Sequence, residues 1–541
     1  MLTRIRKDLS HTLRTMGRNP GPSVVAGLTL ALGIGAGAAI FSVVETVLLR
    51  PLPFPEPGRL VAVKGDLRGS NTRDIGISRP EFEDLRSRSG VFEETSVVWP
   101  MDGNLTGVEK PHRIEALAVS PGYFRMLGAK PALGRLFLPE DGDPWISQSA
   151  ILSRGAWQRL FGADPNVLGR KIRLDYDPFV VVGVLPADFH HPGLTLQGDV
   201  DVWLTGSYRG GAFPANPSRT ERMFPSAIGR LRPGLNAPRA QARLEVFAEN
   251  VRRQFPADYP AAGQWTPRID GLQEALAGDS RRILLFLFGA VTLVLLICCA
   301  TVANLILART TGRRGEFALR TALGAVRGDL IRQLVVENVV LGLLAGVAGL
   351  GVAAALAPVL LRAESLKLPQ ISAAGINAGV VAFVLLAAVA SGILSALAPA
   401  LHVSRLDLMA GLKSAGRGTG PSGNRSRAML IAGQIALSLM LLTGAGLLGR
   451  SLLAVLNVEP GFQPDGVLLG SVWLPPPGDV KARKYPNQET RALFVREALR
   501  RLRTIPGVTA AAMGTFDSIP FMGWNSTPFN SPCLKARNTW P

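Results

Sequence analysis

The chain of 541 residues alternates between long apolar runs and segments that carry charge. Five of the apolar runs have at least the roughly 20 residues that a helix needs to cross a bilayer. They cover residues 23–49, 283–308, 338–361, 379–401 and 428–449. Glu45 is the one charged residue of the first run, and the other four runs have none. This pattern predicts an α-helical integral membrane protein with about five transmembrane helices.

The amino-acid composition agrees with this interpretation. Hydrophobic residues make up 47% of the chain and charged residues only 18%, whereas a soluble protein carries about 25% charged residues. A cleaved signal peptide is a poor explanation of the first run, because the apolar region of such signals has only roughly 7–15 residues. No cleavage site is evident after the run either. We therefore interpret residues 23–49 as a retained span.

The net charge of +19 is concentrated in three segments of the chain. Residues 1–19, 309–332 and 402–427 together hold sixteen basic and four acidic residues, a net charge of +12. Basic loops of membrane proteins face the cytoplasm. We therefore predict a multi-pass protein of the cell (inner) membrane with a cytoplasmic N-terminus and with residues 50–282 outside. This alternation, without a DNA- or RNA-binding motif, argues against a nucleic-acid partner.

Residues 50–282 are long enough to form a domain with its own hydrophobic core. The apolar, β-branched run "FVVVGVL" predicts a strand. The segment "NAPRAQARLEVFAENVRRQFP" predicts an amphipathic helix with Asn236 as its N-cap and with Ala240, Leu244, Phe247 and Val251 on one face. The mixture of both element types predicts a large α+β domain outside the membrane. We call this region the outer domain.

A second copy of this arrangement begins near the end of the chain. Residues 425–474 repeat the layout of residues 18–66: a basic segment, a span, an exit rich in Pro and Gly, and an apolar run. A helix is predicted around Glu489–Arg503, but the segment after it has neither a strand nor a helix pattern. We expect a partial second outer domain, and therefore a truncation or a reading-frame change.

Glycines in two of the spans are candidates for close helix packing. They are Gly33, Gly35 and Gly37 in the first span and Gly342 and Gly346 in the third. Small residues let helix backbones approach each other in a membrane. The alternative is that these glycines only contact lipid.

Signatures of catalysis are missing from the sequence. There is no G-x-x-x-x-G-K-[ST] motif for holding ATP, so any ATPase would be a separate chain. The three cysteines and five histidines form neither a disulfide framework nor a metal cluster. Glu45 and Glu337 lie near span ends, where a carboxylate is a functional candidate but can also reach the interface. The sequence predicts no enzyme, no metal and no directly bound cofactor.

Four segments give the chain a resemblance to the MacB/FtsX-like permeases of ABC transporters, and more narrowly to their duplicated branch from acidobacteria. They are "LTLALGIGAGAAIFSVVETVLLRPLPFPEPGRLV" (28–61), "VSPGYFRMLGAKPALGRLFLPEDG" (119–142), "LSRGAWQRLFGADPNVLGRKI" (152–172) and "GEFALRTALGAVRGDLIRQLVVENVVLG" (315–342). The resemblance implies a MacB-like periplasmic core followed by three spans.

The predicted segments follow from spans, charge and resemblance together. They are a cytoplasmic basic segment (1–22), the first span (23–49), the outer domain (50–282), the second span (283–308), a cytoplasmic coupling helix (309–337), the third span (338–361), a short outer loop (362–378), the fourth span (379–401), a cytoplasmic basic linker (402–427), the fifth span (428–449) and the partial second outer domain (450–541).

The cytoplasmic segment before the third span has the spacing of an amphipathic helix that is weakened by two glycines, Gly324 and Gly328. The resemblance implies that this helix docks in a groove of the ATP-binding subunit. The contact residues would be Glu316, Leu319, Arg320, Ala322, Leu323, Gly324 and Arg327. The alternative is an interfacial helix whose arginines bind anionic lipid headgroups.

The resemblance implies a permease subunit of the mechanotransmission type, which moves an outer domain and has no substrate tunnel of its own. ATP would act through a separate ATP-binding subunit. Membrane lipid, a second permease unit (as a homodimer or within one chain) and a periplasmic adaptor or envelope client are the other expected partners. The alternatives are an FtsX-like regulatory protein that acts on an envelope partner, and a truncated permease without function.

Overall fold

The computed structural model describes most of the chain between residues 20 and 513. The described ranges are 20–106, 112–142, 148–174, 177–192, 200–205, 218–222, 224–278, 280–312, 327–362, 375–404, 421–458, 466–468, 470, 472, 485 and 487–513. The chain divides into two compact units, Met1–Ser207 with Pro217–Leu448 and Tyr208–Asn216 with Gly449–Pro541.

Helices and strands are numbered in chain order. The helices are α1 (Pro20–Val44), α2 (Arg79–Arg88), α3 (Tyr123–Met126), α4 (Arg154–Phe161), α5 (Ala237–Gln254), α6 (Leu272–Ala277), α7 (Ser280–Gly312), α8 (Arg327–Arg362), α9 (Ala378–Ser404), α10 (Pro421–Leu456) and α11 (Gln488–Arg503). The strands are β1 (Leu60–Leu67), β2 (Phe92–Thr106), β3 (His112–Val119), β4 (Leu133–Gly134), β5 (Ser149–Leu152), β6 (Lys171–Leu174), β7 (Asp177–Val184), β8 (Val202–Thr205), β9 (Ala227–Leu231) and β10 (Trp265–Gly271).

Five helices in the described residues, α1 and α7 to α10, are long and apolar enough to cross a membrane. The predicted number of apolar helices is therefore confirmed by length and composition. In α1 the side chains of Leu30 and Ile34 are fully buried among α7, α8 and α9. α10 continues to Leu456, past the predicted end of the fifth span at residue 449. The helix is therefore longer than the predicted span, and the boundary of the span itself stays a prediction.

The outer domain is built on one mixed sheet, as an α+β fold requires. Its strand order is β10-β1-β9-β2-β3-β8-β5-β7-β4, and β6 pairs with both β2 and β7. The pairs β3–β8 and β5–β7 are parallel, and the other pairs are antiparallel. The long strand β2 belongs to both halves of the sheet. β1, which follows the first span, pairs with β10, which precedes the second span.

Local sequence signals place the helices of this domain. The side chain of Asn236 accepts a hydrogen bond from the Arg239 amide at the start of α5, as predicted from its N-cap position. The four apolar residues predicted to share one face of α5 are all buried. Each large apolar side chain buried in this way contributes about 1.5–3 kcal/mol of stability. These predictions are confirmed.

Asp141 holds the β4–β5 region of the outer domain through buried polar contacts. Its carboxylate accepts hydrogen bonds from Arg135 Nη1 (2.6 Å), the Leu138 amide (2.7 Å) and Ser149 Oγ (2.8 Å). Burial by itself raises the pKa of Asp141. These hydrogen bonds outweigh that effect, and the net result is a pKa lowered from 3.8 to about 2. The charged carboxylate therefore stabilises the folded domain.

An Asp141→Asn substitution is expected to lower the stability of the outer domain by about 1–2 kcal/mol at pH 7. Because the folded-state pKa is depressed, the contribution of the carboxylate is complete above pH 4. It is lost as the pH falls from about 4 to 2. Urea titrations of the detergent-solubilised chain at several pH values measure the difference. Asp188→Asn, at an exposed position, is the control. A difference that persists undiminished at pH 2.5 contradicts the assignment.

The second compact unit contains α11. The Asn487 side chain accepts from the Thr490 amide, and the Thr490 side chain in turn approaches the Asn487 amide. This capping box starts the helix at Gln488, one residue before the predicted start. Among the described residues after Leu456, none forms a strand. The partial second outer domain stays a prediction.

Candidate transmission site between the membrane helices and the outer domain

The predicted cytoplasmic docking helix is described only at its end. Glu316, Leu319, Arg320, Ala322, Leu323 and Gly324 lie outside the described residues, and Arg327 is the first residue of α8. From Arg327 the helix continues without a break through the third span to Arg362. The predicted docking segment and the third span therefore share a single continuous helix from Arg327 onward. The docking contacts themselves stay a prediction.

The glycines of the first span lie where α1 meets three other helices. A Cβ atom added at Gly35 would lie 2.7 Å from Val352 Cβ and 2.9 Å from the Gly349 carbonyl oxygen of α8. At Gly33 it would lie 3.0 Å from Cys298 Sγ of α7. Gly37 is less tightly packed, at 3.7 Å from Phe383 of α9 and from Val291 of α7. Because only glycine fits at Gly35, the backbones of α1 and α8 touch directly.

The glycines of the third span lie against α9. A Cβ at Gly342 would be 2.4 Å from the carbonyl oxygen of Ala388, and a Cβ at Gly346 would be 3.1 Å from Ala388 Cβ. The contact is reciprocal, because a Cβ at Gly392 of α9 would lie 2.7 Å from the Asn338 carbonyl oxygen. α8 therefore packs backbone to backbone on α1 and on α9.

The first span ends in an irregular turn. Residues Glu45–Leu49 form a π-helical turn, closed by a hydrogen bond of 2.7 Å from the Arg50 amide to the Glu45 carbonyl. We call it the π-turn. π-helical turns inside α-helices are rare and occur often at functional sites. A turn of this kind leaves main-chain carbonyls without their usual partners.

Gln273 of α6 supplies the missing donor. Its Nε2 donates to the carbonyl oxygens of Leu48 and Arg50, both at 3.0 Å. Gln273 lies two residues after the end of β10, the sheet neighbour of β1. The end of the first span is therefore fastened to the segment by which the chain leaves the outer domain.

Apolar packing reinforces this fastening on both sides. Leu272 of α6 is buried in the core of the outer domain, together with Leu52 and Phe54 from the exit of the first span. Ala277, at the other end of α6, packs with Val44 and other residues of the first and second spans. The segment that follows the first span is therefore part of the outer-domain core, and α6 packs against both.

A polar contact joins the same turn to the fourth span. Asn377 Nδ2 donates to Glu45 Oε2 at 2.7 Å. One turn earlier, the rings of Phe41 and Phe383 stack with their centroids 4.3 Å apart. The π-turn therefore touches α9 on one side and the outer domain on the other.

Sequence reasoning identified part of this site. It singled out Glu45 and the glycines of the first and third spans, but it missed Gln273, Asn377, Gly349 and Gly392. The polar residues have no local signal, since their partners are distant in the chain. Within the described residues, no group of three or more His, Cys, Asp or Glu side chains could hold a metal ion.

The fold and this site define a class: an integral membrane protein with a large extracytoplasmic domain packed against the ends of its first two spans. Two family profiles match the chain. The "MacB-like periplasmic core domain" covers residues 23–246, and the "FtsX-like permease C-terminal" covers residues 288–408. The chain belongs to the MacB/FtsX-like ABC transporter permeases.

Curated relatives agree with this membership. The "Macrolide export ATP-binding/permease protein MacB" of Bdellovibrio bacteriovorus is 25% identical over 62% of this chain and 50% of its own length. Its namesake from Burkholderia thailandensis is 28% identical over 53% of this chain and 41% of its own length. The "Probable syringafactin export ATP-binding/permease protein SyfD" of Pseudomonas syringae pv. tomato is 27% identical over 44% of this chain and 33% of its own length. The chain spans half or less of the length of these relatives.

Among solved structures, the periplasmic region of MacB from Actinobacillus actinomycetemcomitans matches 41% of this chain and 92% of its own, with 16% identity and a TM-score of 0.30. The extracellular domain of the noncanonic ABC-type transporter YknZ from Gram-positive bacteria matches 39% of this chain and 99% of its own, with 14% identity and a TM-score of 0.28.

Proposed function

We propose that this chain is the permease subunit of a mechanotransmission-type ABC transporter and that ATP is hydrolysed by a separate chain docked on residues 312–342. The observation that carries the proposal is the continuous packed path from the start of α8 to the outer domain. α8 starts at Arg327 and touches α1 backbone to backbone at Gly35, and the chain that follows α1 enters the core of the outer domain at Leu52 and Phe54. The sequence supplies no ATP-binding loop of its own.

In this mechanism the spans pass a displacement from the ATP-binding subunit to the outer domain. Closure of the ATP-binding subunit displaces the cytoplasmic end of α8, and the glycine contacts pass the displacement to α1 and α9. The first span then moves the outer domain through Leu52, Phe54 and Gln273. A substrate conduit inside the bilayer would require polar side chains along the spans, whereas four of the predicted spans have no charged residue.

The partners and the location belong to the same proposal. The protein would lie in the cell (inner) membrane with a cytoplasmic N-terminus, in contact with membrane lipid. It would work as a homodimer or as two paired permease units, and a periplasmic adaptor or envelope client would bind outside. Macrolide and syringafactin export are named for the relatives, and we propose efflux or envelope export as the general activity here. No cofactor would bind this chain directly.

The test is affinity purification of the tagged full chain in mild detergent, with mass spectrometry of the proteins that accompany it. We expect the parent to recover an ATP-binding subunit and a Leu323→Asp/Arg327→Glu variant to lose at least about 90% of it. The reason is that a charge in an apolar docking face and a reversed charge beside it both oppose binding.

The matched control is Val246→Asp/Arg253→Glu, which makes one apolar-to-Asp and one Arg-to-Glu change at exposed positions of α5 in the outer domain. It should recover as much ATP-binding subunit as the parent. Equal loss from both double variants, or no ATP-binding subunit with the parent, overturns the docking proposal. An envelope hydrolase recovered with the parent favours the FtsX-like regulatory alternative.

A further inference from the structure

Asn377 makes two different hydrogen bonds at the start of the fourth span. Its Oδ1 accepts from the Val380 amide at 2.9 Å and so caps α9. Its Nδ2 donates to Glu45 Oε2 at 2.7 Å. The segment just before it is also tied to the first span, because Ser42 Oγ donates to the Gly375 carbonyl at 3.3 Å. One residue therefore both starts α9 and holds it against α1.

Glu45 also has two roles. Its side chain accepts the Asn377 amide, and its carbonyl accepts the Arg50 amide that closes the π-turn. An α-helix accommodates 3.6 residues per turn, so inserting or removing the extra residue of a π-turn rotates the chain beyond it by about 100°. The side-chain bond to Asn377 is therefore made by the same residue whose carbonyl closes the turn.

The far end of the same turn is fixed to the outer domain. Gln273 Nε2 donates to Leu48 and Arg50, the last carbonyls of the turn. The π-turn is thus held at its start by the fourth span and at its end by α6. Any change in the position of α9 relative to α1 must either break the Glu45–Asn377 bond or pull on the turn.

We propose that Glu45 and Asn377 form a latch that passes the position of the fourth span to the outer domain through the π-turn. What drives α9 rests on the proposed function, in which an ATP-binding subunit moves α8 and its neighbour α9. The latch itself depends only on the contacts of this chain. Glu45 and Asn377 are positioning residues: they act through the main chain of the turn and through Gln273.

Exchanging the two side-chain types tests the latch. Asn377→Asp keeps the cap, because Asp and Asn are equally good at N-cap positions, but it places two carboxylates against each other. Glu45→Gln/Asn377→Asp restores one amide and one carboxylate with their positions exchanged. The comparison therefore separates the hydrogen bond from the cap.

The measurement is amide hydrogen exchange of the full chain in lipid nanodiscs at pH 7.5. For Asn377→Asp we expect exchange to rise about fivefold or more at residues 46–54 and 271–278. The double variant should return within about twofold of the parent. A purely local role for Asn377 predicts a change at residues 378–381 alone. That result, or a double variant as fast as the single one, overturns the latch.

This experiment does not use an ATP-binding subunit, so its outcome is independent of the docking test. If the parent recovers no ATP-binding subunit but Asn377→Asp shows the remote rise in exchange, the proposed function is overturned and the latch stands. If the parent recovers the ATP-binding subunit but Asn377→Asp shows no remote rise in exchange, the latch is overturned and the proposed function stands.

Discussion

Gly342→Ala is expected to separate α8 from α9 and to destabilise the membrane bundle by about 3 kcal/mol or more. The added methyl carbon would lie 2.4 Å from the carbonyl oxygen of Ala388. No side chain can rotate away to make room, since the obstacle is main chain. The two helices must therefore move apart, and the neighbouring contacts at Gly346 and Gly392 are lost with them. Unfolding of the full chain by SDS titration, followed by circular dichroism, measures the effect.

Gly351→Ala is the matched control for this substitution. Gly351 lies on the same helix, and a Cβ added there would meet nothing within 4 Å. Alanine is favoured over glycine in a helix by about 0.5–1 kcal/mol, so this variant should be as stable as the parent or slightly more stable. Equal destabilisation by both substitutions would show that the bundle responds to helix composition and not to the α8–α9 contact.

Glu81→Ala is expected to destabilise the outer domain by about 3–5 kcal/mol. The carboxylate is fully buried and accepts hydrogen bonds from the Ser78 amide (2.8 Å), Arg222 Nη2 (2.8 Å) and Tyr259 Oη (3.1 Å). Its removal leaves the nearly buried guanidinium of Arg222 and the buried hydroxyl of Tyr259 without this partner. It also removes one of the two hydrogen bonds of the capping box at the start of α2. Urea unfolding of the solubilised chain, followed by tryptophan fluorescence, measures the loss.

The electrostatics of Glu81 show why this effect is large. Burial raises the pKa of Glu81, and the opposing attraction of Arg222 does not fully offset that rise. The ion pair is therefore costly to bury. Removing one member costs more still, because the other charge stays inside without compensation.

Glu83→Ala provides the comparison on the same helix. The Glu83 side chain is 59% exposed and pairs with Arg79 Nε at 2.9 Å. Exposed pairs of this kind contribute about 0–1 kcal/mol, so the change in the free energy of unfolding should stay below about 1 kcal/mol. A loss as large as that of Glu81→Ala would mean that helix propensity, and not the buried network, governs the stability of α2.

Features that depend on neighbouring residues could be predicted from the sequence. The spans follow from the length of apolar runs, and the starts of α5 and α11 follow from capping residues directly before them. The mixed fold of the outer domain follows from strand and helix patterns of different period. The ends of the helices do not follow from hydropathy alone, because a helix such as α10 continues beyond its apolar run to Leu456.

The glycines show the limit of local information. Gly35 and Gly342 stand out in the sequence because small residues are suited to close contact. Their opposing main-chain positions at Gly349 and Ala388 depend on how two helices cross. The docking contacts of residues 316–324 lie outside the described residues and stay a prediction that rests on resemblance.

By itself the sequence determined that this protein crosses a membrane, which segments carry positive charge, and that an α+β domain lies between the first two spans. Periodicity, capping and hydropathy act over a few residues, so a linear pattern is enough to reveal them. Only the tertiary structure decided that β1 pairs with β10, that Gln273 holds the π-turn, and that Glu45 meets Asn377, which is 332 residues away. Such contacts arise when independent elements pack together, and a pattern confined to one element carries no information about its partner.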